Sequence, residues 1–201
     1  MNGHDAPSPA RLQRLNDVGR LQNQVSEAEL ARLLALRGDE DVIDLGSGTG
    51  FYTDRIAALT AGQVYAVELL PEMNDHHRER GVPVNVRLVL GDITALPLGP
   101  ATGGSTLEPA SADVACTIAT WHEIQGRLDL PGVAKILRPQ GRLVVIDWRR
   151  DAESWESGPP MDQRYSDAEV AESLAPYFTV TSVENVGRFM FAVTARLSEG
   201  N

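Results

Sequence analysis

The sequence predicts an α/β protein built on a doubly wound, mostly parallel β-sheet. Strand-sized apolar segments alternate with helical segments along the chain, and most of the strand-like segments are continuously apolar. At the C-terminal end, the β-rich segments Phe178–Val186 and Arg188–Arg196 follow each other without a helix between them. These two segments therefore predict an antiparallel hairpin around Gly187.

The remaining elements follow from capping residues and apolar patterns. Ser26 and Glu29 form a capping box that starts a helix, and Gly38 ends this helix. Five further strands are predicted at Asp41–Leu45, Val64–Leu69, Val84–Leu90, Asp113–Ala119 and Arg142–Asp147. Helices are predicted between the strands, with a stop at Gly62, a start at Pro71, a segment over Leu128–Leu137 and a cap at Ser166. Residues 99–111 are rich in small and turn-forming residues and predict a loop.

The chain of 201 residues is expected to form one domain over residues 1–201. Residues 1–25 are predicted to be a frayed tail and a lid helix, the helix covering residues 10–25. Its apolar stripe consists of Leu12, Leu15, Val18 and Leu21. Residues 148–165 are predicted to form an irregular active-site loop.

Composition excludes several classes of function. The net charge of −10 opposes binding to phosphate backbones, so nucleic acid is not an expected partner. Cys116 is the one cysteine, which excludes an internal disulfide and a multi-thiol site. His76 and His77 are adjacent and do not share a helical face, so no metal site is expected. The polar N-terminus and the lack of a long apolar run predict a cytoplasmic protein without a membrane span.

The strongest functional pattern is a glycine-rich loop. The segment Val42–Leu45 reads as a strand and continues into Gly46-Ser47-Gly48-Thr49-Gly50, after which a helix begins. Ligands of open α/β sheets bind at such a place, beyond the carboxyl ends of the strands. Phe51 stands where the dinucleotide fingerprint requires glycine, which argues against a nicotinamide cofactor, and no Gly-Lys-Ser/Thr follows to make a P-loop.

Acidic residues follow at the ends of the next two strands. Glu68 is placed to accept hydrogen bonds from both ribose hydroxyls of an adenosine ligand. Asp92, in Gly91-Asp92-Ile93, can accept a hydrogen bond from an adenine amino group while Ile93 packs on the ring. Together with Asp44, these residues place three carboxylates at three successive strand ends.

The ordered set of motifs resembles the class I S-adenosylmethionine-dependent methyltransferases. The resemblance covers residues 28–196. Within the family, the chain is most similar to small single-domain members of the ubiquinone/menaquinone-methyltransferase-like group. The matching segments are Asp44–Gly50, Val67-Glu68, Gly91-Asp92-Ile93, Ala112-Asp113-Val114 with the strand end at Ala119, and Leu137–Leu143.

The resemblance implies a seven-stranded Rossmann-like sheet whose last strand is inserted antiparallel, with S-adenosyl-L-methionine as the cofactor. It implies cofactor contacts from Asp44, Gly46, Ser47, Gly48, Gly50, Tyr52, Glu68, Leu69, Asp92, Ile93 and Ala119. A small-molecule methyl acceptor is expected. Whether the chain forms a homodimer stays open.

The segment after the fourth predicted parallel strand supplies the candidate catalytic residue. It reads Thr120-Trp121-His122-Glu123, in place of the Asn/Asp-Pro-Pro-Tyr motif of enzymes that methylate bases or glutamine side chains. His122 is the candidate general base, with a purely structural role as the alternative. Glu123 either orients His122 or caps the next helix. Trp121, Trp148 and Tyr165 are the candidate substrate contacts, with ordinary packing as the alternative.

Three other functions stay open at this point. In the first, the methyl acceptor is a protein or an RNA. In the second, the chain binds the cofactor without catalysing a reaction and works through partners. A nucleotide-dependent oxidoreductase is the third, which Phe51 disfavours.

Overall fold

A seven-stranded sheet forms the centre of the computed structural model, which describes residues 7–97, 106–150 and 158–198. The strands in chain order are β1 (Val42–Leu45), β2 (Val64–Glu68), β3 (Val86–Leu90), β4 (Ala112–Ile118), β5 (Leu137–Trp148), β6 (Phe178–Val186) and β7 (Met190–Leu197). Their order across the sheet is β3-β2-β1-β4-β5-β7-β6. Strands β1 to β5 pair in parallel, whereas β7 pairs antiparallel with both β5 and β6. The predicted fold class is therefore confirmed, including the antiparallel C-terminal hairpin.

Seven α-helices accompany the strands in the described part of the chain. They are α1 (Pro9–Leu15), α2 (Arg20–Asn23), α3 (Glu27–Leu34), α4 (Thr53–Ala57), α5 (Pro71–Arg80), α6 (Leu130–Ile136) and α7 (Asp167–Leu174). A short 3-10 helix covers Met161–Gln163. Within the described ranges, none of these helices is long and apolar enough to cross a membrane.

Two hydrophobic clusters cover the two faces of the sheet. One contains the apolar side chains of α3 and α4, and the other contains those of α6 and α7. Alternate residues of β5 enter alternate clusters, since Val144 belongs to the first and Val145 to the second. Helices on both faces are the reason that the parallel strands are mostly apolar.

The capping residues predicted from the sequence are present. Ser26 and Ser166 each accept a hydrogen bond from the backbone three residues later, and Glu29 and Glu169 in turn accept one from the backbone N–H of the cap residue. Pro71 occupies the first turn of α5, where its missing N–H removes no helical hydrogen bond.

The N-terminal segment corrects the prediction of one helix over residues 10–25. The chain forms α1 and α2 instead, because Asn16 ends α1 and its side chain donates to the carbonyl of Leu12. Asp17 then accepts a hydrogen bond from the backbone of Gly19. Val18 lies in this break and is 70% exposed, so it does not belong to an apolar helical face as the pattern predicted.

Smaller differences concern element ends. The strand predicted at Arg142–Asp147 extends from Leu137 to Trp148, because Leu137 already pairs with Ala112 of β4. The predicted tail, loop 99–111 and active-site loop fall partly outside the described residues, namely at residues 1–6, 99–105 and 151–157.

Candidate active site

A cavity lies at the carboxyl ends of the parallel strands, and we call it the first cavity. It holds about 150 Å³ of space for the centres of water-sized molecules, and it is open to solvent on one side. The glycine loop contributes Gly46, Ser47, Gly48 and Tyr52 to its wall. The strand ends contribute Asp44, Glu68, Leu69, Asp92, Ile93 and Ala119. Ten of the eleven predicted cofactor contacts therefore line one cavity.

Steric contacts explain why the loop carries glycine at two positions. Gly46 has a φ of +83°, and a Cβ there would collide with the side chain of Thr120 after β4. Gly50 has a φ of +81°, and a Cβ there would overlap the buried imidazole of His77 on α5. Gly50 does not line the cavity, so its part in the site is to let the loop turn against His77.

Glu68 is held in place by the loop that it faces. Its Oε2 accepts a hydrogen bond from the backbone N–H of Gly48 at 2.9 Å, and its Oε1 accepts one from Leu70 at 2.9 Å. Burial raises the pKa of Glu68 above its ordinary value, although these backbone donors oppose the shift. Each oxygen keeps a lone pair for a further donor, so the carboxylate can still accept two hydroxyl groups.

Asp44 is the most deeply buried carboxylate of the wall. It is 2% exposed and accepts a hydrogen bond from the hydroxyl of Thr53 at 2.6 Å. Burial raises the pKa of Asp44 to about 6, against the effect of this hydrogen bond. Burial disfavours the ionised form of Asp44, and a cationic ligand group beside this carboxylate would favour it.

Asp92 and Ser47 differ in what they offer a ligand. The Oδ1 of Asp92 accepts hydrogen bonds from the N–H and the hydroxyl of Thr94, at 2.8 and 2.7 Å. The hydroxyl of Ser47 is buried at the cavity wall and has no hydrogen-bond partner within the described residues. Buried hydroxyls without partners are rare, so Ser47 indicates a polar group that the cavity is built to receive.

The N-terminal helices close one side of the first cavity through Leu15, which belongs to the predicted apolar stripe, and through Arg20, which sequence reasoning did not single out. The guanidinium of Arg20 lies 4.8 and 4.7 Å from the ring centres of Phe51 and Tyr52. It also donates to Gln24 at 3.0 Å. The sequence placed a lid helix here, but no pattern in it indicated that an arginine would stack on the two aromatic residues after the glycine loop.

A second cavity adjoins the first. Five residues line both cavities: Arg11, Leu15, Arg20, Ala119 and Glu123. Ala119 has a φ of +56°, a left-handed conformation that turns the chain sharply at the end of β4. This turn directs His122 to the second cavity, whose wall it shares with Trp148.

His122 is oriented by Asp147 at the end of β5. Its Nδ1 lies 2.8 Å from the Oδ1 of Asp147, and its backbone N–H donates to the Oδ2 of Asp147 at 3.2 Å. Since an ionised carboxylate only accepts hydrogen bonds, Nδ1 carries the proton and Nε2 keeps a lone pair. No hydrogen bond to Nε2 is found among the residues that the structure describes.

The environment of His122 sets its pKa. Burial favours the neutral imidazole, but the hydrogen bond to Asp147 and the negative charge of Asp147 outweigh it and raise the pKa above its ordinary value. A raised pKa makes the neutral ring a stronger base, and above that pKa the ring is free to accept a proton.

Neither role weighed for Glu123 is observed, since Asp147 orients His122 and the side chain of Asp129 caps the next helix, α6. Glu123 lies 3.6 Å from Arg11 of α1 instead, and Asp147 holds the imidazole. Asp147 was missed in this role because it is distant in the sequence. Only the parallel pairing of β4 with β5 brings the two strand ends together.

The three predicted substrate contacts lie in different places. Trp148 is 3% exposed and lines the second cavity. Trp121 is fully buried in a core cluster and lines neither cavity, because the turn after Ala119 directs it inward. Tyr165 packs against the same cluster and also lines neither cavity. A role in substrate binding thus has geometric support for Trp148 alone.

The expectation that His76 and His77 form no metal site stays a prediction, and no group of three or more potential ligands is found in the described ranges. His77 instead lies 2.7 Å from Asp54 through its Nε2, and the Nε2 of His76 lies 3.1 Å from the amide of Asn16. Both histidines thereby connect α5 to neighbouring segments of the site.

The first cavity fits S-adenosylmethionine by the chemistry of its polar groups. Carboxylates at three strand ends suit a ligand with hydroxyl, amino and sulfonium groups. The unpartnered hydroxyl of Ser47 and the backbone of the glycine loop supply the remaining polar contacts. Glu68 would hold the ribose, and Asp92 and Ile93 the adenine.

Comparisons with known proteins agree with this geometry. Residues 42–141 match the family model of a methyltransferase domain. A solved S-adenosylmethionine-dependent methyltransferase from Aquifex aeolicus is 26% identical, with a TM-score of 0.80 over 95% of this chain and 99% of that one. The fold therefore matches over nearly the whole length of both chains.

Two curated relatives are longer than this chain. A methyltransferase of Mycobacterium tuberculosis (strain ATCC 25618 / H37Rv), named as uncharacterised, is 36% identical over 110 residues, which are 55% of this chain and 40% of the relative. Ribosomal RNA small subunit methyltransferase A of Synechococcus sp. (strain RCC307) is 31% identical over 147 residues, 72% of this chain and 50% of the relative. The chain thus spans about half or less of the length of these relatives.

The comparisons do not single out the ubiquinone/menaquinone-like group, so that subgroup stays a prediction. At the level of the family, the motifs, the fold and the cavity agree. The chain belongs to the class I S-adenosylmethionine-dependent methyltransferases.

Proposed function

We propose that this chain transfers a methyl group from S-adenosylmethionine to a small molecule bound in the second cavity, with His122 as the general base. One observation carries the proposal. The cavity that fits the cofactor shares five lining residues with a second cavity, and His122 lines that second cavity with a lone pair on Nε2.

The cofactor, when bound, supplies an electrophilic methyl group whose bond to sulfur breaks as the acceptor attacks. The protein's task is to align the two reactants and to exclude water, since the methyl group is already activated. Ala119 and Glu123 lie where the two cavities meet, and the N-terminal helices cover this junction through Leu15 and Arg20.

His122 provides the proton transfer that a hydroxyl, thiol or protonated amine requires. Its Nε2 accepts the proton that the acceptor loses, and Asp147 stabilises the imidazolium that forms. Asp147 also fixes the tautomer through the hydrogen bond to Nδ1, and its Oδ2 fixes the loop through the backbone of His122. Asp147 acts through His122 and is therefore a positioning residue.

The acidic surface supports a small acceptor over RNA. A net charge of −10 repels a phosphate backbone. The second cavity is concave and is walled by Trp148 and the N-terminal helices, as a site for a small ligand requires.

The experiment incubates the protein and tritiated S-adenosylmethionine with a bacterial lysate that is separated into small-molecule, protein and RNA fractions. We expect label in the small-molecule fraction, and we expect His122→Ala to lower the transfer rate about 100-fold while cofactor affinity changes little. Label in the protein or RNA fraction would contradict the small acceptor. Full transfer by His122→Ala would remove the general base from the proposal. Cofactor binding without transfer to any fraction would favour a silent binding module.

A further inference from the structure

The two cavities differ in the sign of their charge. Four carboxylates line the first cavity, namely Asp44, Glu68, Asp92 and Glu123, against two arginines, Arg11 and Arg20. Among the residues that the structure describes, three arginines line the second cavity, namely Arg11, Arg14 and Arg20, against the two carboxylates of Asp17 and Glu123. A positive excess in one cavity is notable on a chain whose net charge is −10.

The carboxylates of the second cavity already have partners. Glu123 lies 3.6 Å from Arg11, and the Oδ1 of Asp17 accepts a hydrogen bond from the backbone of Gly19 at 2.8 Å. Arg14 and Arg20, by contrast, have no carboxylate within 4.0 Å in the ranges that the structure covers. Two arginine cations thus face this cavity without an ion-pair partner of their own.

Arg20 is fixed more firmly than a surface arginine. Its Nε donates to Gln24 at 3.0 Å and its Nη1 donates to the carbonyl of Leu15 at 2.7 Å. Its guanidinium also stacks against Phe51 and Tyr52. A guanidinium held in this way loses little conformational entropy when it binds an anion.

A buried arginine behind the cavity wall adds to the positive potential. Arg164 is 1% exposed and donates to the carbonyls of Pro159 and Arg149, at 2.9 and 3.1 Å. It lies 5.5 Å from the ring centre of Trp148, and both Trp148 and Pro159 line the cavity. No carboxylate lies within 4.0 Å of Arg164 among the described residues, although the charge of Asp147 acts on it at longer range.

We propose that the methyl acceptor is an anion, and that Arg14 and Arg20 bind its carboxylate or phosphate group. This inference rests on the proposed function, in which the second cavity holds the acceptor. The acceptor then carries two groups: a proton-bearing nucleophile that reaches His122 and an anionic group on the side of the N-terminal helices. Arginine pairs recognise carboxylate and phosphate by the same charge-assisted hydrogen bonds.

The test uses protein saturated with S-adenosylhomocysteine and three probes that share a ring: benzoate, phenyl phosphate and neutral benzamide. Dissociation constants are measured by ligand-observed NMR at low salt. We expect at least one anion to bind about tenfold more tightly than benzamide, and the comparison of benzoate with phenyl phosphate identifies the preferred anion. Arg14→Gln and Arg20→Gln are each expected to weaken that anion at least threefold and to leave benzamide unchanged.

Arg78→Gln is the matched control. Arg78 is an exposed arginine on α5 that pairs with Asp75 and lines neither cavity. Arg78→Gln therefore changes the net charge by the same amount as Arg14→Gln and Arg20→Gln but alters neither cavity. Arg14 is also exposed and has no side-chain partner in the described ranges, so we expect Arg14→Gln to keep the fold.

Several results would overturn the anionic acceptor. These are equal binding of benzamide and both anions, no binding of either anion, and equal effects of Arg78→Gln and Arg14→Gln. Binding of S-adenosylhomocysteine is measured separately in each variant. Its absence in the wild-type protein would refute the proposed function, whereas its presence without anion preference would refute this inference alone.

Discussion

The pairing of His122 with Asp147 leads to a prediction that needs no substrate. In Asp147→Asn the side chain keeps its shape but loses its charge. If the amide oxygen takes the position of Oδ1, it can still accept hydrogen bonds from the Nδ1 of His122 and the backbone N–H of Trp148. These two donors lie 2.8 and 2.6 Å from Oδ1 in the wild type. The amide nitrogen then faces the backbone N–H of His122, which is left without its acceptor.

The expected cost follows from these contacts. One buried N–H without a partner costs about 1–3 kcal/mol, and the remaining hydrogen bond to the imidazole is no longer charge-assisted. We therefore expect Asp147→Asn to lower the free energy of unfolding by about 2 kcal/mol, measured by urea denaturation. The pKa of His122 should fall, because the hydrogen bond and the charge that raise it are weakened.

The pH dependence gives the sign of the effect. Because the folded state raises the pKa of His122, the stabilisation is fully present below the ordinary pKa of histidine, about 6.5, and is lost as the pH rises through the folded value. The stability difference between wild type and Asp147→Asn should therefore be larger at low pH than at high pH. NMR titration of the ring, assigned with His122→Ala, measures the pKa directly. An unchanged pKa in Asp147→Asn would refute the role of Asp147.

Three further predictions concern the first cavity. Glu68→Ala should weaken S-adenosylmethionine binding at least tenfold, about 1.4 kcal/mol, in calorimetry, and unchanged affinity would remove Glu68 from the site. Because the pKa of Asp44 is raised to about 6, the affinity for S-adenosylmethionine should fall as the pH drops from 7.5 to 5. Asp44→Asn should bind S-adenosylmethionine weakly and without this pH dependence. A wild-type affinity that is constant over this pH range would contradict the role of Asp44. Gly50→Ala should lower the free energy of unfolding, measured by urea denaturation, by more than about 2 kcal/mol, because the new Cβ overlaps His77 and the φ of this residue is left-handed. A stability equal to that of wild type would show that His77 does not constrain the loop.

The sequence predicted the fold, and it singled out residues that meet at the first cavity, because the signals for both are local. Glycines at a strand end, carboxylates at successive strand ends and capping residues such as Ser26 and Ser166 each act within a few residues. Parallel strands then bring their carboxyl ends to one edge, so the contacts predicted separately from Asp44, Glu68 and Asp92 meet in one cavity.

The acceptor side was harder to predict because its contacts are long-range. Asp147 and His122 meet only through the pairing of β4 with β5. The inward position of Trp121 depends on the left-handed turn at Ala119, which alanine does not signal. The N-terminal helices break at Asn16, whose side chain ends one helix and accepts a hydrogen bond from Thr49 of the glycine loop.

The central claim is that the first cavity binds S-adenosylmethionine, and isothermal titration of the purified protein tests it most directly. S-adenosylmethionine, S-adenosylhomocysteine and NAD are titrated in parallel into wild type and Glu68→Ala. The structure predicts micromolar binding of the first two ligands to wild type, weaker binding to Glu68→Ala and no binding of NAD. The absence of binding by both methyl-cofactor forms, or binding of NAD in their place, would contradict the claim.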